Sequence, residues 1–543
     1  CPKGLDPSEN SWQGSAPNGG GSNGWFKVYS SGAKTWSWST RTSDNDADDI
    51  FVRFDQPGVY EIRLSARSSF HIIDRMVLSR SNYQGDPLSL NLPESQFVPA
   101  NGPGDKLTVD ASGQWFERQE SGTPVFMAGV GGPEGFLFET DARKQEIVDQ
   151  LVEQEVNALY FHSLRSFQGD GYSFEDPFVV NEDVTSAVDP AVLDNWRFYL
   201  DQLDENDIIS WFHILDDTAR PWGCNVPLSA DAKRYIDAVV NRFKDLDNLV
   251  WLAGEEFLMG SCSDAQDRAL MRAIAAEIRL HDPVHPIGVH HNNGQAMQFA
   301  APDEPVINVF AQQICNNANV RNPAGIHAAA QRGDWVYAMA ECHPWHLQLL
   351  HADKRRMLRL SNWATAMAGG YVLMYNAYEC QERGKLCSLD INGTPVSPND
   401  PHDPSSGMLG DLRRLREFME ASRFSELSPA DPRATDDTDW VLANDSAGAW
   451  IAYANNTPDV MGVSGLGNAE LRLRWFNPAS GAEVIQLASS QDSPFAVPGS
   501  LGEEVALFIE RTGGSPPPPA GLGVALVNAD ADDIVGQLTD DAI

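Results

Sequence analysis

Eight short apolar runs recur through the middle of the chain, and between most of them the hydrophobic period lengthens to that of a helix. The runs are "PVFMAGVGG" (124–132), "VNALYFHS" (156–163), "IISWFHILDD" (208–217), "NLVWLAGEE" (248–256), "PIGVHHNN" (286–293), "VINVFAQQ" (306–313), "WVYAMAECH" (335–343) and "GYVLMYNAYE" (370–379). Helical stretches at 140–155, 190–206, 229–246 and 351–370 lie among them. In the first, Thr140 is placed to cap the N-terminus, and Ile147, Val148, Leu151 and Val152 share one face. Apolar strands joined by amphipathic crossovers predict a parallel barrel of the (β/α)8 type. A doubly wound open sheet is the alternative, weakened because no GxGxxG follows the first strand and no P-loop is found.

On both sides of this region the pattern changes to period two. From Trp25 onward, "FKVYS", "KTWSWST", "DIFVRF", "VYEIRLSAR" and "DRMVLSR" are short β-branched and aromatic runs separated by turn clusters. After Ala430, "DWVLAND", "AWIAYANN", "LRLRWFNPASG" and "EVALFIE" repeat the pattern. The reading is a multidomain chain: a (β/α)8 TIM barrel over 106–430, flanked by antiparallel β-sandwiches over 25–105 and 431–512. A Gly/Ser-rich leader occupies 1–24. "GGSPPPPAG" (513–521) is a stiff linker, and the 22 residues after it are expected to begin a further domain.

Charge narrows the partners. The net charge of −37 repels nucleic acid and anionic membranes, and it suits a salty medium, such as that of a marine bacterium, or a secreted enzyme. No run reaches the ~20 apolar residues of a membrane-spanning helix. Seven cysteines without a CxxC pair argue against structural zinc. "CQERGKLC" predicts a Cys380–Cys387 disulfide, and Cys224 and Cys262 form a second candidate pair. Cys1, with no Met or signal sequence before it, reads as a lipid-anchored mature N-terminus, as half of a disulfide or as an arbitrary start. The acidic turn "TSDNDADD" (42–49) has calcium-like ligands but reads as a solvated turn.

Candidate chemistry gathers where the barrel strands end, the face on which such barrels assemble their sites. In order, those ends carry His162; His213 with Asp216 and Asp217; Glu255 and Glu256; His290, His291 and Asn292; Gln312 and Gln313; Glu341 and His343; and Tyr375 with Asn376. Two carboxylates from non-adjacent strands, one protonated and one ionised, are what hydrolysis of a glycosidic bond requires. Glu256 on the fourth strand and Glu341 on the seventh fit that requirement.

A barrel with "W-x-x-G-x-[DE]" ending strand four and a Glu ending strand seven resembles the clan A glycoside hydrolases, and among them the apiosidase-like group. "LRLRWFNPASGAEV" is similar to the C-terminal sandwich of that group, which is labelled collagen-binding, and the N-terminal sandwich resembles malectin-type carbohydrate-binding domains. The resemblance implies that Glu256 is the acid/base and Glu341 the nucleophile of a retaining enzyme. Their carboxyl groups should then lie about 5–5.5 Å apart. This chain departs from the clan in having Glu255 where Asn is usual, and Glu255 is assigned to orienting the substrate.

The remaining candidates for substrate binding are His162, His213, Asp216, His290, His291, Asn292, Gln313, Trp222, Trp345 and Tyr375. One of His290 and His291 could instead be a satisfied rim histidine, and both tryptophans could be loop-packing residues. His162, His213 and Asp216 could ligate a metal, but no HxH or HExxH spacing supports one, so neither metal nor cofactor is expected. The function expected is a secreted or cell-surface glycoside hydrolase acting on an algal or plant polysaccharide or oligosaccharide. The alternative is a non-catalytic polysaccharide-binding or adhesion protein that keeps the barrel as a scaffold.

Overall fold

A computed structural model describes residues 38–39, 51–53, 73–80, 104–130, 135–164, 177–180, 183–216, 220–258, 262–292, 294–299, 306–314, 323–340, 351–374, 388–389, 395–396, 407–499, 501–512 and 535–542. The chain divides into two compact units, Pro103–Ala520 and a second made of Cys1–Gly102 with Gly521–Ile543.

The larger unit is built on the expected barrel. Its strands are β1 (Ala128–Val130), β2 (Ala158–His162), β3 (Ile209–His213), β4 (Leu249–Leu252), β5 (Ile287–His291), β6 (Val309–Gln312), β7 (Val336–Ala340) and β8 (Tyr371–Met374). They pair in parallel in chain order and close, β8 on β1, into a barrel. Every residue of β1 to β7 is buried. That burial explains the unbroken apolar runs, since a strand covered on both faces has no polar side to show.

The crossovers are helical and begin where short polar side chains cap them. Helix α1 (Asp141–Glu153) is capped by Thr140, which accepts from the Arg143 amide. Helix α2 (Pro190–Glu205) starts after Asp189 with proline in its first turn, and α3 (Ala230–Phe243) after Ser229. A Ser263–Gln266 capping box opens α4 (Asp264–His281). Helices α5 (Pro323–Ala329), α6 (His351–Met367) and α7 (Gly407–Glu420) complete the outer layer.

A small antiparallel sheet, Leu107–Val109, Phe116–Arg118 and Pro124–Val125, plugs the N-terminal end of the barrel. Phe116 stacks on Tyr371, with ring centroids 4.9 Å apart and planes 7° from parallel. The Tyr371 hydroxyl accepts from the Phe116 amide at 2.8 Å and donates to the Val125 carbonyl at 2.9 Å. With that end filled, chemistry is left to the other.

Beyond α7 the chain forms two antiparallel sheets. The larger has six strands, in the order Ser428–Pro429, Trp440–Asn444, Ala449–Ala454, Val505–Arg511, Glu470–Phe476 and Glu483–Ser489; the smaller joins Ala434–Asp436, Val460–Val463 and Phe495–Ala496. Trp450, Leu473, Trp475 and Leu507 from the first share a core with Met461, Val463 and Phe495 from the second. The opposite side of the large sheet packs on the barrel helices. Trp363 of α6 stacks on Tyr453 at 5.1 Å and 15°, Tyr453 on Trp440 at 5.4 Å, and Phe418 of α7 meets Phe476 at 5.1 Å. Arg359 of α6 reaches Glu504 through Nε at 2.8 Å and Nη2 at 2.5 Å.

In the second unit, Val535–Ala542 is the middle strand of a four-stranded antiparallel sheet. It pairs with Trp38–Ser39 and Phe51–Arg53 on one side and with Ile73–Arg80 on the other. The tail residues read from sequence as opening a further domain thus join strands from the N-terminal region.

Cys224 and Cys262 are bonded, with Cα atoms 5.6 Å apart. Cys1, Cys380, Cys387, the turn at 42–49 and the linker at 513–521 lie outside the described residues.

Candidate active site

At the C-terminal end of β4 the backbone continues beyond the strand, held on both sides. The Glu255 amide donates to the Leu215 carbonyl at 3.1 Å, and the Phe257 amide to the His290 carbonyl at 3.0 Å. Between these anchors Glu256 turns left-handed, with φ of +37°. A non-glycine residue there costs about 1–3 kcal/mol, so the surrounding contacts must hold it.

The turn separates the two glutamates. Glu255 is 2% exposed, and its Oε2 lies 2.7 Å from Nε2 of His162. The other ring nitrogen of His162, Nδ1, is 3.1 Å from Asp216 Oδ1, and all three side chains are buried. One imidazole thus stands between two carboxylates. Glu256, by contrast, is only half-buried and accepts from the Gln313 side-chain amide at the end of β6.

Three further side chains line the barrel beneath this chain of contacts. Tyr160, two residues before His162, places its hydroxyl 3.0 Å from His162 Nε2. The His213 ring lies 4.3 Å from that of Tyr160 and 4.9 Å from that of His162. His290 approaches Tyr160 at 6.0 Å and His213 at 5.9 Å. Burial, followed by the neighbouring His290, holds His213 well below the ordinary imidazole range. Burial, followed by His291, takes His290 down to about 3. Both are neutral near pH 7. The 3.7 Å approach of His290 Nδ1 to Glu255 Oε1 is therefore polar contact, not an ion pair.

One donor atom from each of His162, Asp216 and Glu255 falls within 4.8 Å of the others, a set that could be taken for metal ligands. The same three side chains also lie at hydrogen-bonding distances, with the two carboxylates on opposite nitrogens of one ring.

Several expected contacts are placed elsewhere. His291 faces the other side of β5 from His290, among Phe257, Phe299 and Phe310, where Nδ1 meets the Val289 carbonyl at 2.9 Å and Nε2 accepts from the Gln298 amide at 3.3 Å. It is a satisfied wall residue, because adjacent residues of a strand point to opposite faces. Trp222 packs its ring 5.4 Å from Tyr235 and donates to the Val184 carbonyl at 3.3 Å. Asn292 is half-buried at the rim, its carbonyl accepting from the Gln295 amide at 3.1 Å. Asp217, Glu341, His343, Trp345, Tyr375 and Asn376 lie outside the described residues.

Tyr160 is the residue that sequence reasoning missed. Attention to the last residue of each strand passed over the inward position two residues earlier, which period-two alternation would have supplied.

The comparisons with known proteins agree with this architecture. Residues 111–375 match the family described as apiosidase-like, catalytic domain. A structure described as a glycoside hydrolase family 5 from Bacteroides vulgatus superposes with a TM-score of 0.60 at 14% identity, covering 79% of this chain and 97% of its own. A second, described as a glycoside hydrolase, gives a TM-score of 0.57 at 15% identity and covers 78% of this chain and 100% of its own. No curated protein matches by sequence. With the closed barrel, its strand-four glutamates and the match over 111–375, this region is similar to the apiosidase-like catalytic domain, and the chain is a glycoside hydrolase.

Proposed function

We propose that the protein cleaves a glycosidic bond of a plant or algal glycan with retention of configuration, Glu256 serving as acid/base and Glu341 as nucleophile. One observation carries the division of labour: of the two adjacent glutamates, only Glu256 is partly open to solvent, while Glu255 is engaged by His162. Glu341 follows Ala340, the last residue of β7, directly in sequence, the position that the retaining assignment needs.

In the first step the Glu256 carboxyl proton passes to the glycosidic oxygen as its bond to the anomeric carbon breaks. The Glu341 carboxylate bonds to that carbon, forming a glycosyl ester. In the second step ionised Glu256 takes a proton from water, whose oxygen displaces Glu341 and yields the free sugar. Gln313, donating to one oxygen of Glu256, fixes the plane of the carboxyl group. Glu255 is assigned to orienting the substrate, with His162 and Asp216 held against it.

Export to an oxidising compartment is supported by the Cys224–Cys262 disulfide. Among the described residues no helix is long and apolar enough to cross a membrane. The flanking antiparallel sheets are assigned to glycan binding.

Polysaccharide hydrolysis read out as reducing ends tests the assignment. E256Q is expected to lose about 10²–10⁴-fold in rate, and E341Q all turnover. Full activity in E341Q would refute the two-glutamate reading, and NMR of the first-formed anomer would expose inversion.

A further inference from the structure

The turn that carries Glu256 is gripped from behind by side chains that the chemistry itself does not use. Two residues after Glu256, Leu258 is also left-handed, with φ of +76°. Phe257, between them, is fully buried. The Leu258 amide donates to Oδ2 of Asp267 at 2.8 Å. Asp267 sits in the first turn of α4, itself buried, and binds Arg220 through both oxygens, with Nε to Oδ1 at 2.8 Å and Nη2 to Oδ2 at 3.0 Å. Arg220 belongs to the segment after β3. That segment is tied a second time to the one after β4, through Cys224–Cys262.

A buried ion pair is a weak device for stability, since desolvation offsets much of the attraction. As a fixed point it is effective, because a two-pronged guanidinium–carboxylate contact sets both distance and plane. Here the carboxylate so fixed also holds the amide of a strained backbone residue. Proton donation to a leaving group needs heavy atoms about 2.6–3.2 Å apart, a tolerance that a relaxed turn would exceed.

We propose that Arg220 and Asp267 are positioning residues that set the reach of Glu256 by locking the left-handed turn at 256–258. The proposal rests on Glu256 being the proton donor. Without the carboxylate, the Leu258 amide loses its charged acceptor and the turn falls toward ordinary dihedrals, carrying Glu256 away from the leaving oxygen.

The test compares kcat/KM for paired phenyl and 2,4-dinitrophenyl glycosides of one sugar, chosen from a panel of such pairs. Phenoxide leaves poorly and needs the proton; dinitrophenolate leaves without it. D267N is expected to lower kcat/KM for the phenyl glycoside by about 10²-fold, at the lower end of what general acid catalysis supplies, and to leave the dinitrophenyl value nearly unchanged. A general loss of structure would lower both by the same factor, and that result overturns the proposal. R220K, which keeps the charge but loses the fork, is expected to show a smaller split in the same direction, and it decides the matter if D267N does not fold. E256Q serves as reference. A split in E256Q but none in D267N or R220K overturns the clamp alone, whereas no split in E256Q overturns the assignment of Glu256 and the clamp with it.

Discussion

Glu255 and Glu256 are chemically the same, and the local backbone gives them different neighbours. Glu255 shares His162 with Asp216, and Glu256 is held by Gln313. Beneath them, His213, His290 and His291 are kept neutral by burial, with His290 lowered to about 3 and His291 to about 4. Unfolding releases these rings to their ordinary value near 6.5. Between those values the unfolded chain binds more protons, so acid favours unfolding. The stability they contribute is complete above pH ~6.5 and is lost as the pH falls toward the folded values, at up to about 1.4 kcal/mol per pH unit for each ring. Urea midpoints measured from pH 7 to 5 should therefore fall steadily, and H290Q should fall less steeply. A flat profile for the parent protein over that interval would show that the rings are not held neutral. The pair of glutamates was visible in "WLAGEEF", and the resemblance divided them into an acid/base, Glu256, and a substrate-orienting Glu255, but the contacts that separate them were not visible. Those depend on a positive φ and on partners from β2 and β6, 93 and 57 residues away for the His162–Glu255 and Gln313–Glu256 pairs.

At the scale of elements, the barrel was legible because its strands are buried on both faces and its helices begin at Thr140, Asp189, Ser229 and Ser263. Three things were hidden. Which way a histidine faces follows from alternation only once the strand's inner face is known, and His290 and His291 divide on that point. The grip of Arg220 on Asp267 joins segments 47 residues apart and leaves no periodic trace. The contact between helices and the C-terminal sheet was also invisible, since each partner separately reads as an ordinary amphipathic element. Trp363 of α6 is central to it, fully buried and stacked on Tyr453. Trp363→Ala should cost about 3–5 kcal/mol by leaving a cavity. Denaturant melts should show the loss in both barrel and sheet signals; a loss confined to one would mean that the ring is not shared between them.

For the whole molecule, the charge of −37 argued against nucleic acid and anionic membranes as partners, and the barrel together with the family match over 111–375 points to a glycoside hydrolase. Residues 103–520 form one compact unit, although the pattern along the chain suggested a seam near 430. A chain ended at residue 430 would expose the ring of Trp363 and the surface of α7 that meets Phe476. It should collect in the insoluble fraction, while a chain spanning 103–520 should melt in a single calorimetric transition. Soluble, active protein from the shorter chain would show that the sheet is dispensable. The stacked seam also has a mechanical consequence. A sugar-gripping module on a flexible tether sweeps a volume and feeds its enzyme at random angles. Here the rings of Trp440, Tyr453 and Trp363 leave no slack between the C-terminal sheet and the barrel helices. Any polymer seated on those strands would be presented at one distance and one angle, so that the spacing of cuts along it would be set by the protein's own dimensions.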